Sequence, residues 1–334
     1  MTNSKQNRLD DVTMLFGFGM LLVVLGHSYP DFDLTVLSVQ WIYTVHHIIY
    51  AFHMPLFFFI SGFLYFYTSR GREESYGVFL WKKFKRLLIP YFVISTAAFP
   101  IKAAASKHAL HPVAFTWHDY AATLIFPWKN TIIFFWFLPT LFLIFCVSPL
   151  LRVAIRHRAP WLRYGVAVLL VGINLTMPFK SEAVLNWQGV LHHLVYFYAG
   201  MLFCDAHSSS ICVNARVWQV LLAVGLFAAC FPFSEQNFGR LALAFTGIAI
   251  SLSIIKPGAP WHAMLLLIGT YSFDIYLLSW FPQIASRIIF YDKLHLGFWI
   301  SFTALFFFGL IAPILIARFF EKRWTKAGMV FGRA

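Results

Sequence analysis

The sequence predicts an all-α, polytopic integral membrane protein of about ten transmembrane helices, and three observations predict it. Hydrophobic residues make up 60% of the 334 residues and charged residues 12%, far more apolar surface than a soluble domain of this length can bury. Ten apolar runs approach the roughly 20 residues needed to cross a bilayer. They lie near 12–29, 46–68, 87–105, 131–150, 163–179, 190–206, 217–233, 240–256, 262–282 and 298–317. The basic residues also divide unevenly between alternate loops. One set of loops carries Lys5, Arg8, Arg70 to Arg86, Arg152, Arg156, Arg158, Arg163, Arg216, Lys256 and Arg318 to Arg333. The other set holds Lys102, Lys107, Lys129, Lys180, Arg240, Arg287 and Lys293, seven of the 26. Both termini are therefore expected in the cytoplasm, with an even number of spans. The net charge of +13 is accounted for by this topology, which argues against a nucleic-acid partner. No insert of domain size is left over, so 1–334 reads as one membrane-embedded domain.

The first run follows a polar segment, Met1 to Asp11, and no small-residue cleavage site comes after it. It is expected to stay as a helix and not to be removed as a leader. It ends in Val23-Val24-Leu25-Gly26-His27-Ser28. An imidazole, with a pKa near about 6.5, can take a proton from a hydroxyl and return it to a leaving group. It can equally serve as a hydrogen bond between helices. Phe16 lies three turns before His27 on nearly the same face, and Gly17 and Gly19 leave room for a close neighbour.

The second run contains Phe52-His53-Met54-Pro55-Leu56-Phe57-Phe58-Phe59-Ile60-Ser61-Gly62-Phe63. Pro55 lacks a backbone donor and is expected to kink or open the helix. Freed carbonyls cannot face lipid, so the region should line a cavity or pack on protein. His53 is then either a chemical group or a satisfied packing residue. Ser61 and Gly62 form a small, weakly polar notch.

Lys82, Lys83 and Arg86 recur at helical spacing at the mouth of the third span. Positive-inside topology explains charge there, and such a cluster also suits the phosphates of a nucleotide-containing donor. The loop from about Ser106 to Asn130 holds His108, His111, Trp117, His118 and Asp119. Their spacing matches no metal site, so a wet surface loop and no metal are expected. Trp136, in the fourth run, is either packing or a wall of a sugar-binding cavity. His192, His193, Tyr196 and Tyr198 open the sixth run and read as an interfacial belt. Cys146, Cys204, Cys212 and Cys230 read as small core residues. Asp274, inside the ninth run, must face the interior and be paired or protonated. No internal repeat is evident.

Taken together, the chain resembles the acyltransferase-3 family of integral membrane O-acyltransferases, and more narrowly its sugar and polysaccharide O-acetylases. The resemblance rests on Val-Val-Leu-Gly-His27-Ser, on Phe-His53-Met-Pro through Ser61-Gly62, and on Lys83-x-x-Arg86-Leu-Leu-Ile-Pro90. Trp136-Phe137-Leu138, Tyr198-Ala-Gly200 and Gly269-x-x-Ser272-x-x-x-Tyr276-Leu277 complete it. It implies a ten-helix domain that takes an acyl group, commonly acetyl from acetyl-CoA as co-substrate, and delivers it to a glycan or lipid-linked sugar. On this reading His27 is the general base and His53 holds or tunes the reacting end. Lys82, Lys83 and Arg86 hold the donor phosphates, and Ser61, Trp136, Asp274 and Tyr276 bind substrate. The resemblance further implies membrane lipids as surroundings and a bacterial inner membrane as location. Two positions depart from the family: Phe16 stands where Arg or Lys is usual, and Ser279 where histidine is frequent. A sugar-lipid transporter or flippase, and a catalytically degenerate binding partner, are the alternatives.

Overall fold

The computed structural model describes residues 2–30, 40–71, 74–106, 114–177, 183–207, 210–255 and 259–323. His108, His111, Lys107, Lys180, Lys256 and the residues beyond 323 lie outside the described residues. Among the described residues every regular element is helical. In chain order they are α1 (Thr2–Gly26), α2 (Gln40–Thr68), α3 (Tyr76–Ala104), α4 (Trp117–Ile125) and α5 (Phe137–Arg156). There follow α6 (Pro160–Thr176), α7 (Trp187–Ala206), α8 (Val217–Cys230) and α9 (Asn237–Ile254). The last are α10 (His262–Thr270), α11 (Ser272–Leu278), α12 (Trp280–Ser286) and α13 (Phe298–Arg323).

Each of the ten apolar runs coincides with a helix, except the ninth, which is broken into α10, α11 and α12. Among the described residues five segments are long and apolar enough to cross a membrane: Trp41–Thr68, Tyr76–Ala104, Ile133–Arg156, Asn237–Ile254 and Phe298–Phe320. Pro160–Thr176 and Val217–Phe233 are shorter apolar helices. The outer helices present Val168, Leu169, Leu221, Leu222, Phe307 and Leu315 to the surroundings. Apolar side chains facing outward on helices that are also apolar inward are what a lipid environment demands.

The largest helix–helix interface joins α2 to α7. It depends on two reciprocal glycines. A Cβ on Gly62 would collide with the carbonyl oxygen of Phe197, and one on Gly200 with that of Phe59. Gly17 and Gly269 do the same for α1 and α10, against Leu265 and Thr13. Without water to drive association, close backbone approach supplies the packing energy between such helices. The small residues at Gly62, Gly200 and Gly269 therefore have a structural reason of their own.

Two expectations need correction. Pro55 does not open α2, which runs as one helix from Gln40 to Thr68. The segment between Ser106 and Asn130 is also more than a wet loop. The Thr116 side chain accepts a hydrogen bond from the Asp119 N–H at 3.1 Å, an N-cap that starts α4. The segment then folds back on α3. Tyr91 donates to the Leu124 carbonyl at 3.0 Å, and Asn130 donates to Ser95 Oγ at 2.8 Å and the Thr123 carbonyl at 3.0 Å. A helix of nine residues stabilised by long-range side-chain bonds leaves little periodic signal.

Candidate active site

One face of α2 carries His46, Tyr50 and His53, spaced as neighbours along a helix. His27 reaches that face from the turn just past α1. Opposite stand the 3-10 turn Ile133–Trp136 and the start of α7. Between them lies a half-open cavity of about 430 Å³, whose lining includes His27, Tyr50, His53, Trp128, Trp136 and His193. Pro55 cannot give a hydrogen bond to the Ala51 carbonyl, and both residues line this cavity.

His27 is half-buried and held from several sides. Its ring lies edge-on to Tyr50 and 4.8 Å, centre to centre, from Phe134. The Tyr50 hydroxyl lies 3.3 Å from Nε2 and 3.4 Å from Nδ1, so it can serve either tautomer. Gly26 permits that approach, since a Cβ there would meet the Tyr50 ring at 2.9 Å. Behind the turn, Ser28 donates to the Val24 carbonyl at 2.6 Å, and Gln283 of α12 donates to Ser28 Oγ at 3.3 Å.

His53 and His193 are fixed differently. Each places Nδ1 2.7 Å from the carbonyl one turn earlier, Ile49 and Gly189 respectively. A carbonyl only accepts, so Nδ1 carries the proton and Nε2 of the neutral ring is the free acceptor. Five imidazoles, those of His27, His47, His53, His192 and His193, thus border one cavity, and those of His53 and His193 have a defined tautomer.

The wall is an indole stack. Trp128 and Trp136 lie 4.9 Å apart and nearly parallel. Trp128 Nε1 donates to Asn186 Oδ1 at 3.0 Å, Asn186 Nδ2 donates to Thr140 Oγ1 at 2.7 Å, and Thr140 donates to the Trp136 carbonyl at 2.7 Å. At the rim Arg240 binds Glu235 Oε2 at 3.1 Å and the Ser234 carbonyl at 3.1 Å. On the side away from the rim, Phe16, Phe57, Phe58 and Phe137 form an aromatic layer, with Phe58 4.5 Å from His193. Phe16 packs on Phe57 at 5.9 Å.

Of the residues expected to act, His27, His53 and Trp136 meet in this cavity. The others lie elsewhere. Tyr276 is buried and donates to the Phe134 carbonyl at 2.5 Å, stacking on Phe135; it shapes the turn that carries Phe134 and Trp136. Asp274 is buried in the first turn of α11. Ser61 is buried beside the α2–α7 crossing. Lys82, Lys83 and Arg86 sit near the start of α3 and do not line the cavity. The sequence reading missed Tyr50, Trp128 and His193. The spacing of His46, Tyr50 and His53 was the signal for the first, and Gly189-x-x-x-His193 for the last. Among the described residues no group of three or more His, Cys, Asp or Glu side chains is arranged to hold a metal ion.

Fold and cavity define a helical membrane protein with an imidazole-lined chamber. A family model described as an acyltransferase domain, Acyl_transf_3, matches residues 14–318. The chain belongs to the acyltransferase-3 family. It is thereby a membrane acyltransferase in general class. No curated protein and no solved structure matches it.

Proposed function

We propose that the chain transfers an acetyl or other small acyl group from acyl-CoA to a hydroxyl of a glycan, polysaccharide or lipid-linked sugar. The observation that carries this reading is the gathering of His27, His53 and His193 against the Trp128–Trp136 wall in one open cavity. Imidazoles supply proton transfer near neutral pH, and aromatic faces pack on the apolar faces of sugar rings.

His27 takes the proton of the acceptor hydroxyl. The hydroxyl oxygen bonds to the thioester carbonyl carbon, the carbon–sulfur bond breaks, and His27 returns the proton to the departing thiolate. Nε2 of His53 accepts a hydrogen bond from the acceptor and holds it in register. Lys82, Lys83 and Arg86 attract the donor phosphates. On this reading the bundle spans the membrane ten times with both termini in the cytoplasm, in a bacterial inner membrane. The acceptor enters from the end that carries Arg240.

Tyr50 orients His27 rather than binding substrate. Tyr50→Phe keeps the ring and removes the hydroxyl, whose net worth is about 0.5–1.5 kcal/mol. The expected result is a fall in kcat of up to about tenfold with KM for both substrates unchanged. A raised acceptor KM with normal kcat would make Tyr50 a binding residue instead.

The test of the reaction is donor dependence. Membrane vesicles containing the protein, given radiolabelled acetyl-CoA, are expected to label the glycan. Passage of unlabelled glycan across the membrane without any acyl-CoA would identify a transporter.

A further inference from the structure

The start of α7 departs from ordinary helix chemistry. Asn186 holds the N-cap position, where an asparagine side chain normally accepts a bond from an N–H of the first turn. It makes no such bond. Its backbone is left-handed, with φ 56° and ψ 40°. So is that of Leu185 before it, with φ 49° and ψ 20°. Asparagine tolerates this region, whereas leucine is disfavoured there. Two such residues in succession persist only where the surroundings impose them.

The surroundings are the cavity wall. The fully buried Asn186 side chain lies over Gly189, where a Cβ would collide with it. From there Oδ1 accepts the Trp128 Nε1–H, and Nδ2 donates to Thr140, which in turn donates to the Trp136 carbonyl. One amide thus ties the start of α7 to α5 and to Trp128. That indole stands on the three-residue turn Pro127–Lys129, with no long helix of its own to orient it. Gly189 also supplies the carbonyl that fixes His193. Both indoles and this imidazole therefore take their places from the first turn of α7. A residue needed only to start the helix would cap it.

We propose that Asn186 is the positioning residue of the acceptor site: it locks the Trp128 indole parallel to Trp136 and so sets the affinity for an uncharged sugar ring laid against that wall. The inference rests on the acyl-transfer reading above and adds which residue tunes acceptor binding. A stack already held at 4.9 Å spares the ligand the entropy of ordering the indole. With its N–H committed to Asn186, the Trp128 indole offers a ring face and no hydrogen-bond donor. That suits the C–H face of a sugar and gives nothing to a carboxylate or phosphate.

The probe is the unacylated surface glycan purified from cells lacking this gene, titrated calorimetrically into the purified full-length protein. The wild type is expected to bind it. Asn186→Gly keeps a residue suited to the left-handed backbone and removes the amide. It should weaken binding about fivefold, the net worth of one hydrogen bond. In transfer assays it should raise the KM for glycan and leave the KM for acetyl-CoA at its wild-type value. Trp128→Phe breaks the same bond from the other end and should lose at least as much. It leaves the left-handed pair untouched, which keeps the test open should the glycine variant fail to fold. In the Trp128→Phe background, Asn186→Gly should cost nothing more, because its partner is already gone. No binding by the wild type, undiminished binding by either single variant, or losses that multiply in the double variant would each overturn the role. Binding that shows this coupling, without transfer from acetyl-CoA to glycan, would uphold the role and refute the reaction.

Discussion

Replacing His27 with alanine is expected to lower acyl transfer to the glycan by about 10²–10⁴, the usual contribution of a positioned general base. Yield and thermal stability in detergent should stay near wild type. The ring borders an open cavity, and its hydrogen-bond partner is the Tyr50 hydroxyl, which already faces the same space. Its removal therefore enlarges the cavity and leaves no sealed void. His53→Ala differs in kind. That ring is buried and its Nδ1 donates to the Ile49 carbonyl, so stability and activity should fall together. A His27→Ala protein that acylates glycan at the wild-type rate would remove this imidazole from the reaction.

Gly62→Val is expected to give the largest loss of folded protein. Overpacking a filled core costs about 1–3 kcal/mol, usually because a neighbouring side chain must move. Here the neighbour is the Phe197 backbone carbonyl, so α2 and α7 must separate. The effect should lie at or above that range. Gly200→Val, opposite the Phe59 carbonyl, should behave alike, whereas Gly165→Val should be tolerated, because a Cβ there meets nothing within 4 Å. Fluorescence-detected size-exclusion profiles of the three variants after a heat step would decide. Equal melting of Gly62→Val and Gly165→Val would mean that the α2–α7 crossing does not hold the bundle together.

Most of the architecture was legible because lipid imposes a simple rule. A run of some 20 apolar residues must close its own backbone hydrogen bonds, and a helix does so. Nine of the ten runs became single helices for that reason. The break of the ninth at Tyr271 and Ser279 was not legible. Nor was α4, whose nine residues are held by Tyr91 and Asn130 from distant parts of the chain. The same limit applied to the site. His27 and His53 stood out because imidazoles are conspicuous in apolar runs. His193 sat among tyrosines that resemble an interfacial belt, and Trp128 sat in a loop that looked fully wet. That the cations of α3 stand apart from the histidines was legible, because the positive-inside rule puts them at the cytoplasmic mouth while His27 and His53 lie toward the other ends of their spans; the aromatic layer of Phe57, Phe58 and Phe137 was not.

The family match gives the general class of reaction, and the chemistry turns on what the cavity delivers. The most direct measurement is mass spectrometry of the surface glycan from cells lacking this gene, complemented with wild type or with His27→Ala. The account predicts a gain of one acyl unit per modified sugar with the wild-type copy and none with the variant. Identical glycan masses in all three strains would contradict it.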